Sequence, residues 1–261
     1  MPPLFKYPRT PHLAGSRFQM GDGDLDAETW RNLIGRFVVA EEKLDGANCA
    51  ISFSVDGTMF LQSRGHFLTG SPRERQFDRF KQWAACIQPE LHERLGSRYV
   101  LYGEWLYAKH TVFYDALPDY FHEFDLLDTR TGLFASTAVR REMLAGLPVV
   151  SVPVLFADIL EHPGQILAKI GRSLYKSPDW KERLRRQASD CGIDPFRAMR
   201  ETDPSDLMEG LYVKLEDEFQ VLGRFKYVRA DFLNTIAQSE THWMRRPILP
   251  NMRADATSTP E

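Results

Sequence analysis

The sequence predicts an α+β fold, and three observations support that expectation. Between residues 36 and 64, apolar runs of strand length are separated by turn signals, with Asp56-Gly57 set between two alternating runs as a hairpin requires. Phe77, Phe80, Trp83, Ala84, Ile87 and Leu91 then recur at helical spacing, an aromatic-rich stripe suited to a core. Strand-like runs return at 98–106, 120–127, 149–156, 211–216 and 220–228, with helical stretches among them.

Residues 1–24 are rich in Pro, Gly, Arg and Asp and read as an extended lead-in. Asp26 can cap a short helix running through Arg31 and Leu33. Strands follow at 36–42, 48–55 and 58–63. Ser71-Pro72-Arg73-Glu74 opens the helix that carries the aromatic stripe, with Ser71 as N-cap, Pro72 at the first helical position and Glu74 three residues after the cap. A loop containing Lys109, His110 and Tyr114 separates strands 98–106 and 120–127. Residues 137–146 read as a helix and 149–156 as a strand. From 164 to 200 the pattern is helical and polar. Its densest basic run, Lys181-Glu182-Arg183-Leu184-Arg185-Arg186, is either a solvated helix face or a nucleic-acid contact. Residues 231–238 read as a last helix. The stretch 247–261 has little apolar content and reads as a disordered tail behind one domain spanning 1–246.

A chain of 261 residues suffices for one large or two small domains. Its formal net charge of -3 offers no global basic field, so a nucleic-acid partner would have to be met by local patches. Cys49, Cys86 and Cys191 lack paired metal-type spacing and are odd in number, which argues for a reducing cytosol over a zinc ribbon or disulfide frame. No apolar run has signal-peptide character or membrane-spanning length, so the expectation is a cytoplasmic protein with no membrane partner.

Chemistry concentrates at Glu41-Glu42-Lys43-Leu44-Asp45-Gly46-Ala47-Asn48, between two apolar runs. A lysine at a strand end, flanked by carboxylates that tune its charge, suits covalent catalysis, and Gly46 would let backbone approach a ligand. By itself the same octapeptide also reads as an exposed charged hairpin turn. Seven further charged residues sit in or beside apolar runs: Arg64, Glu104, Asp125, Glu209, Lys214, Arg224 and Lys226. Unpaired charge is expensive in such frames, so together they suggest one polar site floored by a sheet. Near-balanced acids and bases fit a polyphosphate with a divalent cation.

These residues resemble, in order, the motif set of the covalent nucleotidyltransferases, the superfamily of ATP-dependent ligases and RNA capping enzymes. Lys43-Leu44-Asp45-Gly46 is similar to its K-x-D-G lysine motif, Ser63-Arg64-Gly65 to the next short basic motif, and Tyr102-Gly103-Glu104-Trp105 to the glutamate motif. Phe121-His122-Glu123-Phe124-Asp125 resembles the aromatic–aspartate strand, Glu209-Gly210-Leu211-Tyr212-Val213-Lys214 the fourth motif, and Arg224-Phe225-Lys226 the basic final one. Glu42 directly before the lysine and Asn48 five residues after it make the chain most similar to ATP-dependent RNA ligases of the phage RNA ligase 2 type. Two features depart from the pattern. Arg224 stands where ligases usually carry lysine; the charge is kept, so Arg224→Lys is expected to be tolerated. The chain also stops soon after the final motif, which reads as a nucleotidyltransferase domain lacking the family's C-terminal domain.

The resemblance implies two packed, mostly antiparallel sheets with flanking helices and an ATP cleft between them. It implies an enzyme that joins RNA 3′-hydroxyl and 5′-phosphate ends in RNA repair, through AMP carried on Lys43. Lys43, Glu104, Glu209 and Lys226 would be catalytic. Phe124 would stack on adenine and Glu42 help read its amine. Asn48 and Arg64, with Glu104, would address the ribose and α-phosphate, and Lys214, Arg224 and Lys226 the phosphates. Glu104, Glu209 and Asp45 would hold Mg²⁺ or Mn²⁺, through waters as Mg²⁺ prefers. The resemblance leaves room for a separate end-healing kinase or phosphatase as a partner that supplies those RNA ends. A DNA ligase, a GTP-using capping enzyme or an inactive nucleotide- or RNA-binding module are the alternatives.

Overall fold

The structure, a computed structural model, describes residues 3–16, 29–232 and 247–254. After a 3-10 turn at Trp30–Asn32 come β1 (Phe37–Lys43), β2 (Ala47–Phe53) and β3 (Met59–Ser63). A second 3-10 turn (Pro72–Phe77) leads into α1 (Asp78–Cys86) and α2 (Gln88–Leu95), followed by β4 (Tyr99–Trp105), β5 (Phe121–Asp128) and β6 (Leu133–Phe134). The rest of the order is α3 (Thr137–Leu144), β7 (Val150–Ser151), β8 (Val154–Ile159), α4 (Gly164–Leu167), α5 (Trp180–Asp190), α6 (Pro195–Arg200), β9 (Gly210–Glu216) and β10 (Val221–Val228).

The strands make two sheets, as expected. The first runs β10-β9-β1-β8 and is antiparallel throughout; the second runs β3-β2-β4-β5-β6, with β7 added parallel to β5. The chain passes from one sheet to the other between Lys43 and Ala47, and again between β7 and β8. Lys43-Leu44-Asp45-Gly46 is therefore an inter-sheet crossing and not a hairpin turn. Glu42 N donates to Pro153 O, so the two crossings run side by side.

Strand alternation decides what each face carries. Val38 and Ala40 point outward into a cluster with Leu33, Leu160, Ile166, Leu211 and Val213. Cys49, Ile51, Phe53, Leu101 and Trp105 pack outward against α1 and α2 through Phe80, Leu91 and Leu95. The aromatic stripe delivers this contact: Phe80 lies 5.6 Å from the Phe121 ring and 5.2 Å from Trp105. Phe80→Ala would remove that packing at a cost of about 3–5 kcal/mol. With apolar residues turned outward to the helices, the inner faces are left for the charged ones.

Four expectations need correction. The single helix over the aromatic stripe is broken at Ile87, because Pro89 opens α2 and cannot continue a preceding helix. The strand expected at 149–156 is two strands in different sheets, divided at Pro153, which has no N–H for a ladder. Within 164–200 the segment between α4 and α5 is a loop. Of the tail expected to be disordered, residues 247–254 pack onto the 106–117 loop. Leu249 is buried, Asn251 accepts from Tyr114 N (3.0 Å) and donates to Leu106 O (2.7 Å), and Ala254 N donates to Leu117 O. One apolar anchor and one fully paired amide hold a segment whose composition alone argued for disorder. Asp26, most of the expected helix at 231–238 and residues 255–261 lie outside the described residues.

Candidate functional site

Lys43 ends β1 on its inner face, opposite Gly210 of β9, and its Nζ lies 2.8 Å from Glu209 Oε2. A Cβ on Gly210 would stand 1.9 Å from Tyr227 O, so only glycine lets β9 and β10 close up beside Glu209. Gly46 plays the same part in the crossing. Its Cβ would meet Trp105 O and Leu106 Cδ2 at 2.7 Å, and its N–H donates to Glu104 Oε1 (3.0 Å). Asn48 on β2 and Glu104 on β4 are directly paired. Asp45 Oδ2 accepts from Thr111 N and Val112 N, both at 2.7 Å, and Asp45 N donates to the Tyr114 hydroxyl. The crossing is thus fastened to β4 and to the 109–115 loop, which fixes where Lys43 points.

Burial pushes the Glu104 carboxyl up to about 8, with Glu209 and Asp45 adding to the rise and Lys43 opposing it. Glu209 is pushed up to about 7, again by burial, with Lys43 and Lys226 opposing. Burial pulls Lys43 down, but Glu209, Glu104 and Asp45 outweigh it and hold the amine protonated above the ordinary lysine value. Three carboxyl groups against the ammonium groups of Lys43 and Lys226 leave the pocket short of positive charge, and their oxygens are the donor chemistry a divalent cation needs. Among the described residues no group of three His, Cys, Asp or Glu converges closely enough to ligate an ion unaided. The carboxyl oxygens of Glu104 and Glu209 are hard donors of the kind that fit a divalent cation keeping part of its water shell.

A second charged cluster occupies the same inter-sheet space further along the strands. Arg140 of α3 is fully buried, with Nη2 2.7 Å from Glu41 Oε1 and Nε 3.0 Å from Glu123 Oε2. Lys214, also fully buried, reaches Glu41 Oε2 (2.9 Å) and Asp125 Oδ1 (3.0 Å), and donates to Phe124 O. Arg224 Nη1 lies 3.7 Å from Asp125 Oδ2.

The structure brings Lys43, Asp45, Glu104 and Glu209 together, with Asn48 beside Glu104. Lys226 pairs with Tyr212 in the ladder, and its charge acts on Glu209. Arg64 is exposed, one residue beyond Ser63, which pairs with Cys49. Phe124 is the residue skipped where the β4–β5 register steps from Tyr102–Asp125 to Gly103–Glu123, a bulge of the kind that re-aims a side chain. Its ring is half-buried, edge-on to Tyr7 at 5.2 Å. Three expected positions are engaged elsewhere. Both Glu42 carboxylate oxygens hold the loop before α5, accepting from Ser173 Oγ (2.5 Å) and Leu174 N (3.3 Å). Lys214 and Arg224 belong to the second cluster. In the 109–115 loop, Lys109 Nζ donates to Glu201 O.

Sequence reading overlooked Glu41, Glu123, Arg140, Tyr7 and His122. Alternation within Glu123-Phe124-Asp125 and a lone arginine on the buried face of α3 were usable signals; Tyr7, in an irregular lead-in, gave none. His122 is fully buried opposite Glu104, and burial drives its pKa down to about 3, so it is neutral.

The sequence matches the RNA ligase family over residues 36–228. No curated protein matches it in sequence. Among solved structures it is similar to a mutant Naegleria gruberi RNA ligase with ATP and Mn, at 18% identity and TM-score 0.50, covering 81% of this chain and 54% of that one. An apo mutant of the same ligase gives 19%, 0.51, 80% and 54%. An archaeal ATP-dependent RNA ligase gives 16%, 0.51, 87% and 49%. At these identities the likeness is one of fold. The chain spans about half the length of the structures it matches.

Proposed function

Because this chain belongs to the RNA ligase family, we propose that it uses ATP to join RNA 3′-hydroxyl and 5′-phosphate ends through AMP carried covalently on Lys43. The observation that carries the reading is Lys43 at the inter-sheet crossing, 2.8 Å from Glu209 and under the field of Glu104 and Asp45. RNA repair is the cellular role this chemistry serves.

Three transfers follow. The Lys43 amine attacks the α-phosphorus of ATP; a P–N bond forms, the bond to the bridging oxygen breaks and pyrophosphate leaves. A 5′-phosphate oxygen of the RNA then attacks the same phosphorus, breaking the P–N bond and returning the amine. Finally the 3′-hydroxyl attacks the activated 5′-phosphorus, the new phosphodiester forms and AMP leaves. The first transfer needs a neutral amine, whereas Glu209 holds an ammonium. Positive charge brought to Glu104 and Glu209 withdraws that support, and each unit of lowered pKa is worth about 1.4 kcal/mol. Mg²⁺ or Mn²⁺ held there would supply that charge and stabilise the phosphorus centre. Lys226, whose charge already acts on Glu209, adds to the same field. Asn48, Arg64 and Phe124 orient the nucleotide, Phe124 by stacking on the base.

Lys176 is the competing nucleophile. Burial pulls its pKa down to about 8. Yet it is 4% exposed, its Nζ donates to Ser205 O and it sits 4.2 Å over the Trp180 ring. An amine so enclosed cannot meet a triphosphate, so access favours Lys43.

Intact-mass measurement after ATP with Mg²⁺ or Mn²⁺ tests the reading. One AMP should be gained by the wild type and none by Lys43→Ala; an adduct on Lys43→Ala would overturn the assignment. Sealing assays on nicked RNA and DNA duplexes, and labelling with ATP against GTP, then test strand and nucleotide preference.

A further inference from the structure

We propose that Arg224 is a positioning residue, caged by Phe134 and Tyr7 against Asp125, and not a ligand of nucleotide phosphate. This rests on the nucleotide site proposed above. The guanidinium carbon of Arg224 lies 3.7 Å from the Phe134 ring centroid and 5.3 Å from that of Tyr7, with Nη1 3.7 Å from Asp125 Oδ2. Its side chain is only 18% exposed. The Tyr7 hydroxyl is bonded to both Asp125 Oδ2 and the Tyr212 hydroxyl, and its ring stands edge-on to Phe124 at 5.2 Å and Tyr102 at 5.0 Å.

Four elements therefore meet at one cation: β10 through Arg224, β6 through Phe134, β5 through Asp125 and the N-terminal segment through Tyr7. Arg224 holds Asp125 and Tyr7, and Tyr7 in turn supports the bulged Phe124 that faces the base in the proposed site. The N-terminal segment is fixed to the same strand further along, where Lys226 N donates to Pro11 O and Leu13 N donates to Lys226 O.

The cage explains the arginine. A planar, weakly hydrated guanidinium stacks on rings as a compact, strongly hydrated ammonium does not. Conserving charge in Arg224→Lys is therefore not enough, contrary to the sequence expectation. Two residues on, Lys226 remains the β10 cation whose charge acts on Glu209.

The test compares wild type, Arg224→Lys, Phe134→Leu and the double variant, reading thermal unfolding without nucleotide and AMP uptake against ATP concentration by intact mass. Arg224→Lys should lose about tenfold or more in the rate at saturating ATP, the scale of a desolvated cation–π contact. Its KM should change little, Phe134→Leu should fall similarly, and the double variant should fall no further than the worse single. The thermal shifts should be non-additive in the same way. Wild-type rates in Arg224→Lys, a rise in KM alone, or additive effects would each overturn the proposal. Absence of AMP uptake by the wild type would defeat the function reading instead. The thermal cycle alone would then decide, with additive shifts overturning the cage.

Discussion

Two charged clusters share the space between the sheets, and their difference separates a site from a strut. Around Lys43 the carboxyl groups of Glu209, Glu104 and Asp45 outnumber the ammonium groups of Lys43 and Lys226, and the Lys43 side chain is 25% exposed. Around Lys214 the carboxylates of Glu41, Glu123 and Asp125 are each paired with Arg140, Lys214 or Arg224, and Arg140 and Lys214 are wholly enclosed. Both clusters face the space between the sheets, and β1 contributes to each, through Lys43 and through Glu41. The closed one pairs each of these carboxylates with a cation inside the protein and ties β1, β5, β9, β10 and α3 together. The open one is incomplete, and incompleteness is what a cationic or phosphate-bearing ligand can remedy.

The comparison breaks most visibly at Lys43 and Arg140. Lys43→Ala should abolish AMP uptake while leaving the melting temperature near that of the wild type; intact mass and thermal unfolding decide. Arg140→Leu should do the reverse. It leaves Glu41 and Glu123 short of a partner inside the protein, at about 3–5 kcal/mol, and should lower the melting temperature by roughly 10 °C. If Arg140→Leu melted like the wild type, the closed cluster would not be a strut. Lys226→Ala should slow the first transfer by about a hundredfold, the scale of losing one charged group that stabilises a developing phosphorus centre. Rapid-quench AMP uptake at wild-type speed would remove Lys226 from the site.

The smallest effect is in pH. Glu104 and Glu209 rise to about 8 and about 7 in the folded protein, against about 4.3 for an unfolded glutamate. Between these values the folded state binds more protons than the unfolded one, so stability falls as pH rises through this window. AMP uptake should climb over the same window, because a protonated Glu104 cannot hold a cation. Glu104→Gln should flatten the stability slope; an unchanged slope in a pH series of melts would show that Glu104 does not titrate there.

Much of the fold was legible because strand alternation and the aromatic stripe are local signals. Lys43, Glu104 and Glu209 were legible as a set because charge inside apolar strands is costly and implies a common neighbour. Their division into two clusters was not legible, since Lys214 and Lys226 look alike in sequence and differ only in position along the inter-sheet space. Glu42's partner was equally illegible: its neighbour Lys43 faces Glu209, while Glu42 itself accepts from Ser173, more than a hundred residues away. Pro153 was visible, yet that it marks a change of sheet depends on tertiary pairing.

Asn251 gives the far end of the described chain a hold on the reacting amine. It clamps Tyr114 and Leu106, Tyr114 bonds Asp45 N, and the neighbouring Thr111 and Val112 anchor the Asp45 carboxylate. Clipping the protein just before Leu249 would remove, among the described residues, none of the groups placed at the Lys43 site. It would still unbutton the loop that keeps the crossing taut, so such a nick should blunt AMP uptake as a silent lesion at a distance.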